Sequence, residues 1–303
     1  MKKVTIFGAG NIGVRVAFFL ARNREISRIV LVDVASERSR GTVLDFLQSN
    51  LALRSKIAFT PYQEPKEMAE SDVVVIAAGS SRGKEDAKTG LTLPPEEEVE
   101  QMRSIAAHIG HFAPQALVAI LSQPAELFCR IVADTGYIEA ERIIGLPLLM
   151  YREWFRREVA RVVGVGSGDV RITTIRTRQG VELVRAQSRV GGVPLPVLVS
   201  DCKRLQDSPD LTEMFRRRER HHYAPAAVIS RVVGEMVGRR RQVITCMCLD
   251  KETGAFPEAK AVIGPGGLEQ VVPFAVDADQ QRRHEEYRTT VAELTRQLDG
   301  GPG

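Results

Sequence analysis

The residues whose types and spacing could do chemistry are Gly8-Ala9-Gly10-Asn11-Ile12-Gly13 and, 20 residues beyond Gly13, Asp33. Glycines in this pattern form a cradle for a pyrophosphate. Gly8 permits a tight turn, Gly10 leaves no Cβ between backbone and phosphate, and Gly13 lets a helix lie close on a strand. Unpaired N–H groups at the helix start then face the phosphate charge. A carboxylate at Asp33 can accept hydrogen bonds from both hydroxyls of a ribose. It would also repel a 2′-phosphate, so the chemistry implied is binding of NAD rather than NADP.

Such a cradle works only on the right scaffold, and the flanking residues supply it. Val4-Thr5-Ile6-Phe7 reads as a buried strand, Val14–Arg22 as a helix, and Ile29-Val30-Leu31-Val32 as a second strand ending at Asp33. The competing reading is a glycine-rich turn with no ligand. Strand, helix, strand and acidic tip in register argue against it.

The alternation continues. Ser36–Ser49 carries Val43, Leu44 and Leu47 at helical spacing, Ile57–Thr60 is a short strand, and Pro65–Glu70 a helical turn. Asp72–Ala78 is almost wholly apolar, as in a parallel strand covered on both faces. It ends at Ala78-Gly79, small residues that leave space for a cofactor. Residues 80–100 break the rhythm with Gly83, Gly90, Pro94 and Pro95. A lid over the site and a solvated connection both fit that loop. A helix over Val99–Phe112 and a strand over Ala116–Leu121 follow, and the first domain closes near Gly145.

At this point the sequence resembles the malate/lactate dehydrogenase family. The fingerprint, Val32-Asp33-Val34, Ser71–Gly79 and Glu141-Arg142-Ile143-Ile144-Gly145-Leu146 all read like that family. So do Val190-Gly191-Gly192-Val193-Pro194-Leu195 and Tyr223-Ala224-Pro225-Ala226-Ala227, and the similarity runs to about Leu298. The resemblance implies an α/β fold: a doubly wound Rossmann domain over residues 1–145, then an α+β substrate-type domain over 146–303. It also implies a homo-oligomer, dimer or tetramer. The candidate cofactor-binding residues are then Gly8, Gly10, Asn11, Ile12, Gly13, Asp33, Ala78, Gly79 and Gln123.

The second half is less sharp but compatible. Arg152–Val163 reads as a helix with Phe155 and Val159 inward, and Val170–Thr177 as a β-branched strand. Asp210–Val237 reads as helical except where Tyr223-Ala224-Pro225 breaks or bends it. Gln242–Leu249 and Lys260–Val262 read as strands. Asp279–Leu298 carries Tyr287, Val291, Leu294 and Leu298 as the stripe of a closing helix.

The family's catalytic pattern fails here. Hydride transfer to or from a 2-hydroxy acid needs a His base, an Asp that orients it, and an Arg that forks onto the substrate carboxylate. The resemblance places Arg178 or Gln179 where the His belongs, Tyr151 for the Asp and Trp154 for the Arg. Gln123-Pro124-Ala125-Glu126 stands for the family's Asn-Pro-Val-Asp. Of two loop arginines, Arg82 matches the first and the second falls on Lys88 or on nothing. Arg220 and His221, just before Tyr223, could restore a cation and a base. The bland reading, a continuation of the basic surface Arg216-Arg217-Arg218, is preferred because that His has no Asp to orient it. No metal ligands are assigned, and His108, His111 and His284 are given no chemistry.

Composition narrows the function classes. The 303 residues carry a net charge of +4, too small to imply a polyanion partner, and 44% hydrophobic residues. The arginines of 216–220 and 239–241 are separated by an apolar helix and lack interleaved aromatics, which argues against nucleic acid. No apolar run reaches membrane-spanning length, and Met1-Lys2-Lys3 runs straight into the first strand. Cys129, Cys202, Cys246 and Cys248 have no metal-ligand spacing and read as reduced thiols of a cytoplasmic protein. Two functions remain. One is an NAD-binding protein that no longer turns over malate or lactate and answers to a small-molecule effector or a partner. The other is a working oxidoreductase with a rebuilt site for a small hydroxy or oxo substrate.

Overall fold

The structure, a computed structural model, describes residues 2–33, 36–53, 55–61, 65–79, 91–146, 149–199, 205, 222–273 and 275–299. The chain opens β1 (Lys2–Phe7), α1 (Asn11–Leu20), β2 (Ile26–Val32), α2 (Ser36–Leu53) and β3 (Ala58–Pro61). It continues β4 (Val73–Ile76), α3 (Glu96–Phe112), β5 (Leu117–Ile120), α4 (Ala125–Asp134) and β6 (Ile143–Gly145). Then come α5 (Leu149–Val163), β7 (Val170–Arg171), β8 (Thr174–Thr177), β9 (Gly180–Leu183), β10 (Arg189–Val190), β11 (Val193–Pro194) and the short α6 (Leu195–Leu198). The chain closes with α7 (Tyr223–Val237), β12 (Gln242–Met247), β13 (Glu258–Gly264), β14 (Gly267–Val271) and α8 (Ala278–Asp299).

Strands β1 to β6 pair in parallel in the order β3-β2-β1-β4-β5-β6, so the winding reverses between β1 and β4. In an open parallel sheet, such a reversal opens a crevice at the carboxyl ends of the strands. The four residues of β4 are all buried. Val73 and Val75 face a core shared with Val16 and Leu20 of α1 and Ile229 and Val233 of α7. Val74 and Ile76 face Met102 and Ile109 of α3 and Phe128 of α4. Period-two alternation therefore loads both faces of the sheet with helices. This is a Rossmann-type α/β architecture.

Three antiparallel strands, β12 to β14, extend the same sheet beyond β6, with Met247 paired to Gly145. A separate core in the second half gathers Trp154, Phe155 and Val159 of α5 with Val170, Leu183, Val190 and Leu195. As the spacing requires, Phe155 and Val159 are fully buried, as are Tyr287 and Val291 of α8.

The structure departs from the sequence expectations in three places. The strand expected over Val170–Thr177 is two strands, because the Thr173 N–H donates to Ser188 Oγ at 3.2 Å instead of continuing a ladder. The helix expected over Asp210–Val237 is described from Tyr223 onward as α7, with Tyr223-Ala224-Pro225 in its first turn and His222 outside it; residues 206–221 lie outside the described residues. In a first turn, proline's missing N–H costs nothing. In α2, Val43 and Phe46 turn inward while Leu44 and Leu47 stay exposed. Finally, β14 has no counterpart in the expectations; it is mostly exposed and shows no alternation to read. The loop over 80–90, with Arg82 and Lys88, and the segment holding Arg216, Arg217, Arg218, Arg220 and His221 lie outside the described residues, as does Cys202.

Among the described residues, no helix is long and apolar enough to cross a membrane, and no group of His, Cys, Asp and Glu could hold a metal ion.

Candidate functional site

The crevice is built from the glycines outward. After β1 the chain turns at Gly8, whose φ of +101° is open to glycine at little cost. A Cβ on Gly8 would meet the Ala77 carbonyl oxygen at 2.6 Å, and one on Gly13 would meet the Gly8 oxygen at 1.9 Å. Those two glycines seat α1 against β1 and β4. Gly10 differs: a Cβ there would meet nothing within 4 Å. It caps α1 with no side-chain hydrogen bond, and the first turn holds no acidic residue. The helix start therefore presents N–H groups and a partial positive charge to open space, the arrangement that receives an anion.

Asp33 follows β2 and reaches back to this turn, where Oδ2 accepts the Ala9 N–H at 2.7 Å. It thus joins the tip of β2 to the glycine turn. On the other side of the reversal, the Ala77 N–H donates to the Phe7 oxygen at 2.8 Å. Ser122 Oγ donates to the Ala78 oxygen, tying the end of β5 to that of β4 beside Gly79. Gly79 has a φ of +131°. Gln123 comes next, joined to Pro124 by a cis peptide. Gly8, Gly10, Asn11, Ile12, Gly13, Asp33, Ala78, Gly79 and Gln123 thus all follow the carboxyl ends of β1, β2, β4 and β5, along one edge of the sheet. Sequence reasoning overlooked Ser122, whose place at a strand end was the available signal.

The residues that the resemblance set at the catalytic positions are placed as follows. Tyr151 is buried in the apolar core beneath α3 and α4. Trp154 is buried in the second-half core, edge-on to Phe155 with ring centroids 5.0 Å apart. Arg178 and Gln179 form the exposed turn of the β8–β9 hairpin. These residues thus lie in two cores and at a surface turn. The candidates Arg82, Arg220 and His221 lie outside the described residues.

Beside these positions lies a buried polar cluster the sequence did not disclose. Tyr287 Oη donates to Glu126 Oε1 at 3.0 Å and accepts the Glu258 N–H at 3.0 Å. Arg176 lies with its guanidinium 5.8 Å from the Tyr287 ring centre. Burial pushes the Glu258 carboxyl up to about 7, against the pull of the Arg176 charge and with a further push from Glu126. Burial also lowers His284, whose Nδ1 lies 2.8 Å from the Arg176 oxygen. Next to it, Gly145, Leu146, Arg152, Thr174, Thr245, Cys246, Met247 and Glu258 enclose a cavity of about 10 Å³. That is room for one water molecule, not a substrate.

With this geometry in place, comparison with known proteins identifies the NAD-binding part of the chain. Residues 2–145 match the NAD-binding domain of lactate/malate dehydrogenase. Over that stretch the chain is a lactate/malate dehydrogenase-type NAD-binding domain. A malate dehydrogenase of Desulforudis audaxviator is 26% identical, covering 98% of this chain and 99% of that protein. An L-lactate dehydrogenase of Pseudothermotoga lettingae is 25% identical, covering 95% and 94%. Among solved structures, the apo malate dehydrogenase of Picrophilus torridus superposes with a TM-score of 0.86 at 23% identity, covering 99% of this chain and 98% of that one. A Cryptosporidium parvum lactate dehydrogenase with lactic acid and NAD bound gives 0.85 at 21% identity, covering 99% of each chain. These likenesses extend the dehydrogenase fold over the whole chain. The cofactor of this lactate/malate dehydrogenase-type domain is NAD. The residues present fit it, since Gly8 and Gly13 leave no room for a side chain and Gly10 opens on the helix start.

Proposed function

We propose that this chain binds NAD as a member of the lactate/malate dehydrogenase family whose malate and lactate turnover is lost or changed. The observation that carries the reading is the burial of Tyr151 and Trp154 in apolar cores, with Arg178 and Gln179 at an exposed turn. Without an imidazole there is no proton acceptor, and without a forked guanidinium a carboxylate is neither held nor oriented. NAD supplies hydride-transfer chemistry when bound; the described residues hold its phosphates and ribose. A working oxidoreductase with a rebuilt site is the alternative, supported by the intact glycine cradle, and it would draw on Arg82, Arg220 and His221.

Several finer points belong to this reading. The division at residue 145 is kept on the family-model match over residues 2–145. Homo-oligomerisation is supported by the exposed apolar residues Phe18, Leu44 and Leu47 on α1 and α2. Cytoplasmic location is supported by the buried free thiols of Cys129, Cys246 and Cys248.

The test is an assay of NADH formation from malate and lactate, and of NADH consumption with oxaloacetate and pyruvate. No turnover in the ordinary range of about 1–1000 per second is expected. A rate within that range on any of the four would overturn the reading. Calorimetry with NAD and NADP addresses the cofactor separately. NAD is expected to bind more tightly, and Asp33→Ala to weaken it about tenfold or more, through the lost ribose acceptor and the lost Ala9 contact. Equal NADP binding by the wild type would remove Asp33 from the specificity argument.

A further inference from the structure

The strongest unassigned feature near the cradle is a cation at its rim. Arg15 lies on the second turn of α1, and its side chain folds back toward the helix start. Its Nη1 donates to the Asn11 oxygen at 2.6 Å and lies 3.4 Å from Asn11 Oδ1. The guanidinium carbon sits 4.7 Å from the centre of the Tyr223 ring, the first residue of α7. Arg15 pairs with no carboxylate among the described residues, and its Nε–H is buried without a hydrogen-bond partner there.

This placement is electrostatically unfavourable by itself. A cation at the amino end of a helix faces the positive end of the helix dipole, and no acid in the first turn offsets it. The Tyr223 ring face compensates in part, because an aromatic face attracts a guanidinium. An anion between the helix start and the guanidinium would resolve the conflict. Residues 2–145 supply the reason for one: their cofactor carries a diphosphate, and Gly10 opens onto space where that group would lie.

We propose that Arg15 is a further dinucleotide-binding residue, its guanidinium meeting the diphosphate from the α7 side, with Tyr223 as the positioning residue that holds it there. The inference rests on the assignment of NAD as cofactor. It adds a charge-assisted contact to a cradle otherwise made of backbone N–H groups. It also ties cofactor occupancy to the first residue of α7, immediately after the segment that carries Arg220 and His221.

The test measures binding, by calorimetry, of NADH, ADP-ribose and adenosine to the full chain. Arg15→Gln is expected to raise the Kd for NADH and for ADP-ribose about tenfold, to flatten its dependence on salt, and to leave adenosine unchanged. Arg15→Lys is expected to recover part of the loss as a point charge without the fork. Tyr223→Phe should bind as wild type and Tyr223→Ala should fall partway. The Arg15→Gln/Tyr223→Ala double variant should be no weaker than Arg15→Gln alone, since the ring acts through the guanidinium. Melting temperatures without ligand check that each variant folds. ADP-ribose binding unchanged in a folded Arg15→Gln variant would overturn the inference and leave NAD binding standing. Adenosine weakened in step with ADP-ribose would also overturn it, as would additive losses in the double variant. A wild type that binds no NADH would overturn the cofactor assignment and this inference together.

Discussion

Glu258 is a carboxyl group in a place where a carboxylate is expensive. It is buried beside Arg176, Glu126 and the Tyr287 hydroxyl, and its pKa lies about 7, above the ordinary value of 4.5. A raised acid binds its proton more tightly in the folded chain than in the unfolded one. Its contribution to stability is therefore complete below about pH 4.5 and is lost as pH rises through about 7. Each pH unit in that window is worth about 1.4 kcal/mol, so the loss is roughly 3 kcal/mol at most. Chemical denaturation at pH 5 and pH 8 should show the wild type weakening at the higher pH. Glu258→Gln, which keeps the shape and cannot ionise, should show a smaller difference. Equal differences in the two proteins would mean that Glu258 is already ionised opposite Arg176 at pH 5.

The glycine turn between β1 and α1 separates two roles that the motif merges. Gly13→Ala would put a Cβ 1.9 Å from a backbone oxygen that cannot move without displacing β1 from α1. It should destabilise the fold by more than about 3 kcal/mol, the size of the larger packing defects. Gly10→Ala meets open space, at an extended backbone with φ −79° that alanine accepts. Its stability should stay within about 1 kcal/mol of wild type, as for small changes at a helix cap. Its NADH affinity should nevertheless fall, because the new methyl occupies the approach of the diphosphate. Unfolding curves and calorimetry on the two variants measure both quantities. A Gly10→Ala chain that binds NADH normally would show that the phosphates do not approach there.

At the scale of the whole molecule, exchanging two side chains is expected not to install malate chemistry. Tyr151 and Trp154 sit on the same helix, α5, yet they serve two different cores. Tyr151→Asp and Trp154→Arg would each remove a large ring and bring a charge into apolar surroundings. The expected cost is several kcal/mol each, more than a marginally stable chain can lose twice. The double variant should therefore unfold or aggregate rather than oxidise malate, as circular dichroism and the NADH assay would record. A folded double variant with malate activity would mean that these residues line a pocket, not a core. The charged surface is organised at the same scale. Arg239, Arg240 and Arg241 each meet a carboxylate, respectively Asp72, Glu25 and Glu269.

The amino-acid sequence alone determined the cradle and the strands that present it. Steric freedom at Gly8, close approach at Gly13 and the apolar run of β4 are properties of neighbouring residues, so they can be read without coordinates. It also raised the expectation that the catalytic types are replaced, since side-chain chemistry at a matched position needs no fold. Only the tertiary structure decided what the replacements do. Tyr151 and Trp154 read as missing functions in the sequence and proved to be packing residues of two cores. The stack of Arg15 on Tyr223 and the cluster of Glu126, Glu258 and Tyr287 join residues far apart in the chain. Nothing in their local spacing announces them, because desolvation and charge proximity are set by where separate elements meet in space.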